Sequence, residues 1–241
     1  MDTAGTAAIY PSATQFVDSV LRLAPRVAAF DCDGTLWSGD AGETFFDWEI
    51  KHGVVSAGVA RAMRERYAEY KAGKVSEEEM CGEMVTMHKG LPESAVMEAA
   101  TEFMTNHFPG RVFPELKQLV HQLHEQGSEI WAVSSSNQWL IRAGIKPFDV
   151  PESRILAARV EIDRGIVTDK LVRVPSGPGK SEALREVVDK EIDAAFGNSR
   201  WDLEMLAMAK HAFAVNPNPD LETTARQRRW TIYFPDRTVR P

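Results

Sequence analysis

Five short apolar runs, each closing on a polar or glycine-containing turn, constrain the fold of this chain most: Val27 to Phe30, Ile130 to Val133, Ala194 to Phe196, Ala212 to Val215 and Thr231 to Phe234. Runs of this kind suit strands buried on both faces of a parallel sheet. Helical spacing fills the gaps between them. Pro114, Leu116, Leu119, Val120 and Leu123 recur at three- and four-residue intervals, and the pattern stops at Gly127. Ser181 to Lys190 and Asp202 to Lys210 carry patterns of the same kind, and Phe16, Val17, Val20 and Leu21 place a helix over Ser12 to Leu23. Strands alternating with helices predict a doubly wound, mostly parallel α/β sheet. In such sheets ligands sit beyond the carboxyl ends of the strands.

Two stretches break the alternation. From about Gly42 to about His107 the chain reads as helix after helix, with stripes such as Val59, Met63, Tyr67, Tyr70 and Met80, Met84, Met87. This predicts a helical insertion. From Ala158 to Val174 the residues alternate in polarity and turn at Arg164-Gly165, which predicts a β-hairpin.

Composition narrows the function classes. The chain has 241 residues, 44% of them hydrophobic and 26% charged, as in an ordinary globular protein. A net charge of −7 argues against broad nucleic-acid or anionic-membrane binding, which runs on lysine and arginine. No apolar run is long enough to span a bilayer. The N-terminal MDTAGTAAIYPSA has neither the basic nor the apolar region of a secretory signal. Cys32 and Cys81 are too few for a disulfide framework, so a cytoplasmic location is expected.

Four segments carry chemistry, each at or beside the carboxyl end of a predicted strand. The first is Phe30-Asp31-Cys32-Asp33-Gly34-Thr35-Leu36. Period-two geometry points Asp31 and Asp33 to the same side, where a cation such as Mg²⁺ or a shared proton must relieve their repulsion. Cys32 between two acids is read as a small buried filler. The second segment, Ser134-Ser135-Ser136-Asn137, offers hydroxyls and free amides at a helix start, a natural anion site. The third, Gly177-Pro178-Gly179-Lys180-Ser181, can place an ammonium on a phosphate, although it is too short for a P-loop. In the fourth, Gly197-Asn198-Ser199-Arg200-Trp201-Asp202, Asn198 offers a metal an amide oxygen and Asp202 follows about one helical turn later. The four would converge on one crevice.

With these residues in place, the chain resembles the haloacid dehalogenase superfamily of phosphotransferases, and within it the phosphoserine-phosphatase-like branch. The DxDGT segment at Asp31 is the specific signal, and the Ser134, Lys180 and Asn198/Asp202 segments match the later motifs in order. The resemblance implies a Rossmann-like core, residues 1–37 and 111–241, with a helical cap, residues 38–110, inserted after the first motif. It implies a Mg²⁺-dependent phosphomonoester hydrolase acting on a small phosphorylated metabolite. Asp31 would be the nucleophile, forming an aspartyl-phosphate, and Asp33 the general acid and base. Mg²⁺ would be held by Asp31, the backbone carbonyl of Asp33 and residue 198. Ser134 with the amide of Ser135 would bind phosphoryl oxygens. Lys180 would neutralise the phosphate, and Asp202 would orient Lys180 or a water of the metal.

The chain departs from the family pattern in two places. Asn198 stands where an aspartate is usual, which removes one charge from the metal site. In the stretch Met84 to Pro92, which resembles RVxLLKGLP, Met84 stands where the family has an arginine that grips the substrate carboxylate. Asp40, near the family's amine-binding glutamate, and Glu43 are then candidates to hold an amine beside Trp37, with Phe45, Phe46 and Trp48 more readily explained as cap packing. Lys89, Arg61 and Arg64 remain as other cationic groups of the cap. His121 and His124 read as a hydrated surface pair rather than metal ligands. A phosphate- or metal-binding protein of impaired activity, motivated by Asn198, and a phosphotransferase to an alcohol remain as alternatives. The sequence does not fix the oligomeric state.

Overall fold

The computed structural model describes residues 10–235; residues 1–9, on which the expectation of no secretory signal largely rests, lie outside the described residues. In chain order the elements are α1 (Ala13–Leu21), β1 (Val27–Phe30), α2 (Ala41–His52), α3 (Ala57–Lys71), α4 (Glu77–Thr86), α5 (Glu93–Glu102) and α6 (Pro114–Glu125). They continue with β2 (Glu129–Asn137), α7 (Gln138–Gly144), β3 (Ile155–Asp163), β4 (Ile166–Arg173), α8 (Pro178–Val187), β5 (Ala194–Gly197), α9 (Leu203–Met208), β6 (His211–Val215), α10 (Pro219–Arg228) and β7 (Thr231–Tyr233). One seven-stranded sheet has the order β4-β3-β2-β1-β5-β6-β7, and only the β3–β4 pair is antiparallel. The fold is the doubly wound α/β expected.

Side-chain alternation divides the core cleanly. On β1 and β5, Ala28, Phe30, Ala194 and Phe196 join the cluster under α1, α6 and α7, while Val27, Ala29 and Ala195 join the opposite cluster with Leu184, Met205 and Leu221. Rings of Phe30 and Phe196 stack at 4.1 Å, and Phe196 and Phe213 at 4.7 Å, so the sheet centre is a row of aromatics. The predicted hairpin is present. Its first strand begins earlier than expected, because Ile155 and Leu156 pair in parallel with Ala132 and Val133 and extend the main sheet.

The insertion between β1 and α6 is helical, as its periodicity requires, and Phe46, Ile50, Met63, Met80 and Met87 form its own small core. Its two ends run side by side: Ser38 N–H donates to Arg111 O at 2.9 Å and Phe113 N–H to Leu36 O at 3.0 Å. A second attachment lies on the hairpin. There Gly90 N–H donates to Val167 O at 2.8 Å, Val167 N–H to Leu91 O at 2.9 Å and Glu93 N–H to Gly165 O at 2.8 Å, covering part of the β4 edge. His121 and His124 are not a free surface pair. Each ring reaches a carbonyl at 3.1 Å, of Pro147 and Phe148, because the α6 face abuts the turn after α7.

Candidate active site

The chain beyond β1 turns sharply at Gly34, whose φ of +75° and whose contact with Asn198 exclude a side chain: a Cβ there would lie 1.8 Å from Asn198 Nδ2. This turn sets Asp31 and Asp33 at the sheet's carboxyl edge, with Cys32 between them facing the core, as its reading as a filler required. Asp31 Oδ1 accepts from Lys180 Nζ at 2.7 Å, and Oδ2 from Thr35 Oγ1 at 2.7 Å. Lys180, in the first turn of α8, also donates to Asp202 Oδ1 at 2.6 Å and to Val133 O at 3.3 Å. The other oxygen of Asp202 accepts the amides of Asn198 and Ser199 at 3.0 and 2.9 Å and the Ser199 hydroxyl at 3.1 Å. All three charged side chains are nearly sealed from solvent. Gly197 makes room: a Cβ on it would meet Asp202 Cβ at 2.5 Å.

A buried ammonium between two carboxylates persists only when its hydrogen bonds are complete, which these are. The two acids hold Lys180 firmly protonated. Burial, then the charge of Asp202, push Asp31 up to about 6 against the pull of Lys180 and Thr35. Burial and Asp40 push Asp33 up to about 7 against hydrogen bonds from Trp37 and Ala41. A carboxyl near 7 can both give and take a proton at neutral pH. Asp33 is oriented by three donors: Trp37 Nε1 at 2.8 Å and Ala41 N–H at 2.6 Å on Oδ1, and Ser136 Oγ at 2.8 Å on Oδ2.

Asp31, Asp33, Ser136 and Lys180 floor a cavity of about 450 Å³ that Ser134, Ser135 and Asn198 also line, so the four segments meet as expected, with Asp202 outside the lining. Ser134 Oγ accepts the Ser136 amide at 3.1 Å, while the Ser135 hydroxyl donates to Pro175 O at 3.1 Å. Asp40, Glu43 and Met84 lie on the cavity wall. Trp37 does not. It is fully buried, and its indole N–H is committed to Asp33, so it positions a carboxylate instead of meeting substrate. Phe45 is buried in packing as expected, and Phe46 lines the cavity from the cap core. Lys89 pairs with Asp169 on the hairpin, and neither Arg61 nor Arg64 lines the cavity.

Sequence reasoning missed several partners. Thr35 and Ser136 lie inside the quoted segments; Thr35, four residues after Asp31, carried a local signal, whereas Ser136 meets Asp33 only through the fold. Glu77 lines the cavity from α4, one of three consecutive glutamates that resemble a solvated face. The pair His88 Nε2–Glu49 Oε2, 2.8 Å apart and fully buried, joins residues 39 apart in the chain, beyond any local pattern.

Fold and site together set two hydrogen-bonded acids, Asp31 and Asp33, at the end of the first strand of a doubly wound sheet. Residues 28–207 match the model of the haloacid dehalogenase-like hydrolase family, and the chain belongs to it. Within that family it is a phosphatase. It is 24% identical over 218 residues to a histidinol-phosphatase of Neisseria meningitidis, covering 86% of this chain and 97% of that one. A protein of unknown function from Bordetella pertussis has the same fold with a TM-score of 0.73 at 20% identity, covering 86% of this chain and 97% of that one. A probable phosphoserine phosphatase of Vibrio cholerae gives a TM-score of 0.63 at 21% identity over 87% of this chain and 61% of that one.

Proposed function

We propose that this phosphatase hydrolyses the phosphomonoester of a small metabolite through a phosphoryl group carried on Asp31, with Mg²⁺ as cofactor and residues 38–110 as the cap over the site. One observation carries the reading: a buried carboxylate held by an ammonium and a hydroxyl, with a second carboxyl near neutrality beside it. The Asp31 carboxylate attacks phosphorus, the bond to the leaving alcohol oxygen breaks, and Asp33 gives that oxygen its proton. Asp33 then takes a proton from the water that attacks the phosphoryl group, which leaves as inorganic phosphate. Ser134 and the amide of Ser135 receive phosphoryl oxygens, and Lys180, fixed by Asp202, balances their charge.

The donor set suits a hard divalent cation. It is made of oxygens, from the Asp31 carboxylate, the Asp33 carbonyl and the Asn198 amide, and the one ammonium beside it, Lys180, is already balanced by Asp31 and Asp202. Asp31, the Asp33 carbonyl and the Asn198 amide would hold Mg²⁺, which would offset the charge on the phosphoryl oxygens. Among the described residues no group of three His, Cys, Asp or Glu side chains is placed to hold a metal, so this set would rely on a backbone carbonyl and an amide beside the Asp31 carboxylate. The name of the Neisseria relative, histidinol-phosphatase, agrees with a small alcohol phosphate as substrate. Two free thiols agree with a cytoplasmic setting, and among the described residues no helix is long and apolar enough to cross a membrane.

The test is phosphate release from p-nitrophenyl phosphate and a panel of phosphorylated metabolites with Mg²⁺. Asp31→Asn should lower turnover by roughly a thousandfold or more. Asp33→Asn should still accept phosphate from the aryl ester but turn over slowly on alkyl esters, whose leaving oxygen needs the proton. Near-native turnover by Asp31→Asn overturns the mechanism.

A further inference from the structure

The cavity above the phosphoryl site is short of cations. Lys180 is engaged by Asp31 and Asp202, and Lys71 by Glu43 at 3.1 Å. Arg66, the best placed arginine of the cap, is held by Glu69, Glu79 and Glu83. Among the described residues no arginine lines the cavity. A carboxylate on the substrate would therefore meet acids with no free partner.

The acids of the wall differ in what they already bind. Asp40 accepts the Glu43 amide at the start of α2, Glu43 has Lys71, and Glu49 has His88. Glu77, half-buried at the start of α4, accepts from two hydroxyls, Ser176 Oγ at 3.3 Å and Tyr70 OH at 3.4 Å. Both bonds are long for hydroxyl donors, so the carboxylate is under-served. Burial pushes it up to about 7, and it lines the same cavity as Lys180. On α3 the Lys71 ammonium lies 5.0 Å from the ring centre of Tyr67 and 5.9 Å from that of Tyr70, so the aromatic rings of this wall are compatible with a cation beside them.

We propose that Glu77 and Tyr70 receive an ammonium at the far end of the substrate, and that the substrate is the phosphate ester of a short amino alcohol without a carboxylate. This rests on the phosphatase reading above. The ammonium gives Glu77 the charged partner it lacks, and because Glu77 and Lys180 line one cavity of about 450 Å³ the spacer between amine and phosphate is short.

The experiment measures kcat/KM with Mg²⁺ on matched pairs of short aminoalkyl and n-alkyl phosphates of equal chain length, and on O-phosphoserine, for the wild type and Glu77→Gln. The wild type should favour the best aminoalkyl ester over its alkyl counterpart by roughly tenfold or more, mainly in KM, and should prefer it to phosphoserine. Glu77→Gln should bring the aminoalkyl-to-alkyl ratio close to one. Equal wild-type rates on both members of every pair overturn the inference, as does a preference that survives in Glu77→Gln. Absence of wild-type turnover on every ester overturns the phosphatase reading itself, and this inference with it.

Discussion

The floor of the cavity and its cap wall are both acidic, yet they treat their acids differently. On the floor, Asp31, Lys180 and Asp202 complete one another's hydrogen bonds, and Asp33 is fixed by three donors. On the wall, Glu77 has two long hydroxyl contacts, and Met84 brings no polar group. In the proposed mechanism the floor serves phosphoryl transfer whatever the alcohol, because its charges are already fixed where phosphoryl charge would develop. Discrimination between alcohols is left to the wall.

The contrast can be broken most forcefully at Lys180. Lys180→Met leaves two buried carboxylates without their ammonium, and should cost about 3–5 kcal/mol of stability by denaturant midpoint. Turnover should fall roughly a hundredfold to a thousandfold. A stable, active variant would mean that the floor is not the interlocked unit described. Next in size is the wall: Met84→Arg should raise kcat/KM on phosphoserine, relative to an amino alcohol phosphate, by roughly tenfold to a hundredfold, the worth of a charged hydrogen bond. An unchanged ratio would remove Met84 from the list of specificity residues.

A smaller effect belongs to the metal site. Asn198→Asp restores one charge, and should lower the half-saturating Mg²⁺ by a factor of roughly several without altering the order of substrates. An unaltered Mg²⁺ titration would mean that residue 198 is not a ligand. The smallest expected effect lies away from the cavity, at Asp193, which accepts the amides of Arg26 and Val27 at 2.9 and 3.3 Å and pairs with Lys210. Hydrogen bonds from Lys210, Arg26 and these amides outweigh partial burial and hold its carboxyl well below the ordinary range. Its stabilisation is therefore present above the ordinary carboxylate pKa and is lost as pH falls toward the depressed one. Asp193→Asn should cost about 1 kcal/mol at neutral pH, and thermal melts should show the difference closing in strong acid.

The sheet and its catalytic edge were legible because each buried strand is a short apolar run followed at once by polar residues. The helical insertion was legible from its stripes. Trp37 was misleading, since an aromatic beside acids suggests a cation site, whereas the Gly34 turn folds the indole beneath Asp33. The start of β3 was missed because Ile155 to Ala158, buried beside β2, shows no alternation. Glu77 could not be singled out among Glu77, Glu78 and Glu79, because only the tertiary approach of Ser176 decides which one turns inward. The Glu49–His88 pair is written in helix packing alone.

The helical insertion is fastened at two distant places, the paired strands at Leu36–Ser38 and Arg111–Phe113 and the backbone clasp of residues 90–93 on the hairpin. If residues 38–110 close over the site as proposed, an opening that keeps both attachments is a swing about the line that joins them, or a step in which the β3–β4 turn moves as part of the door.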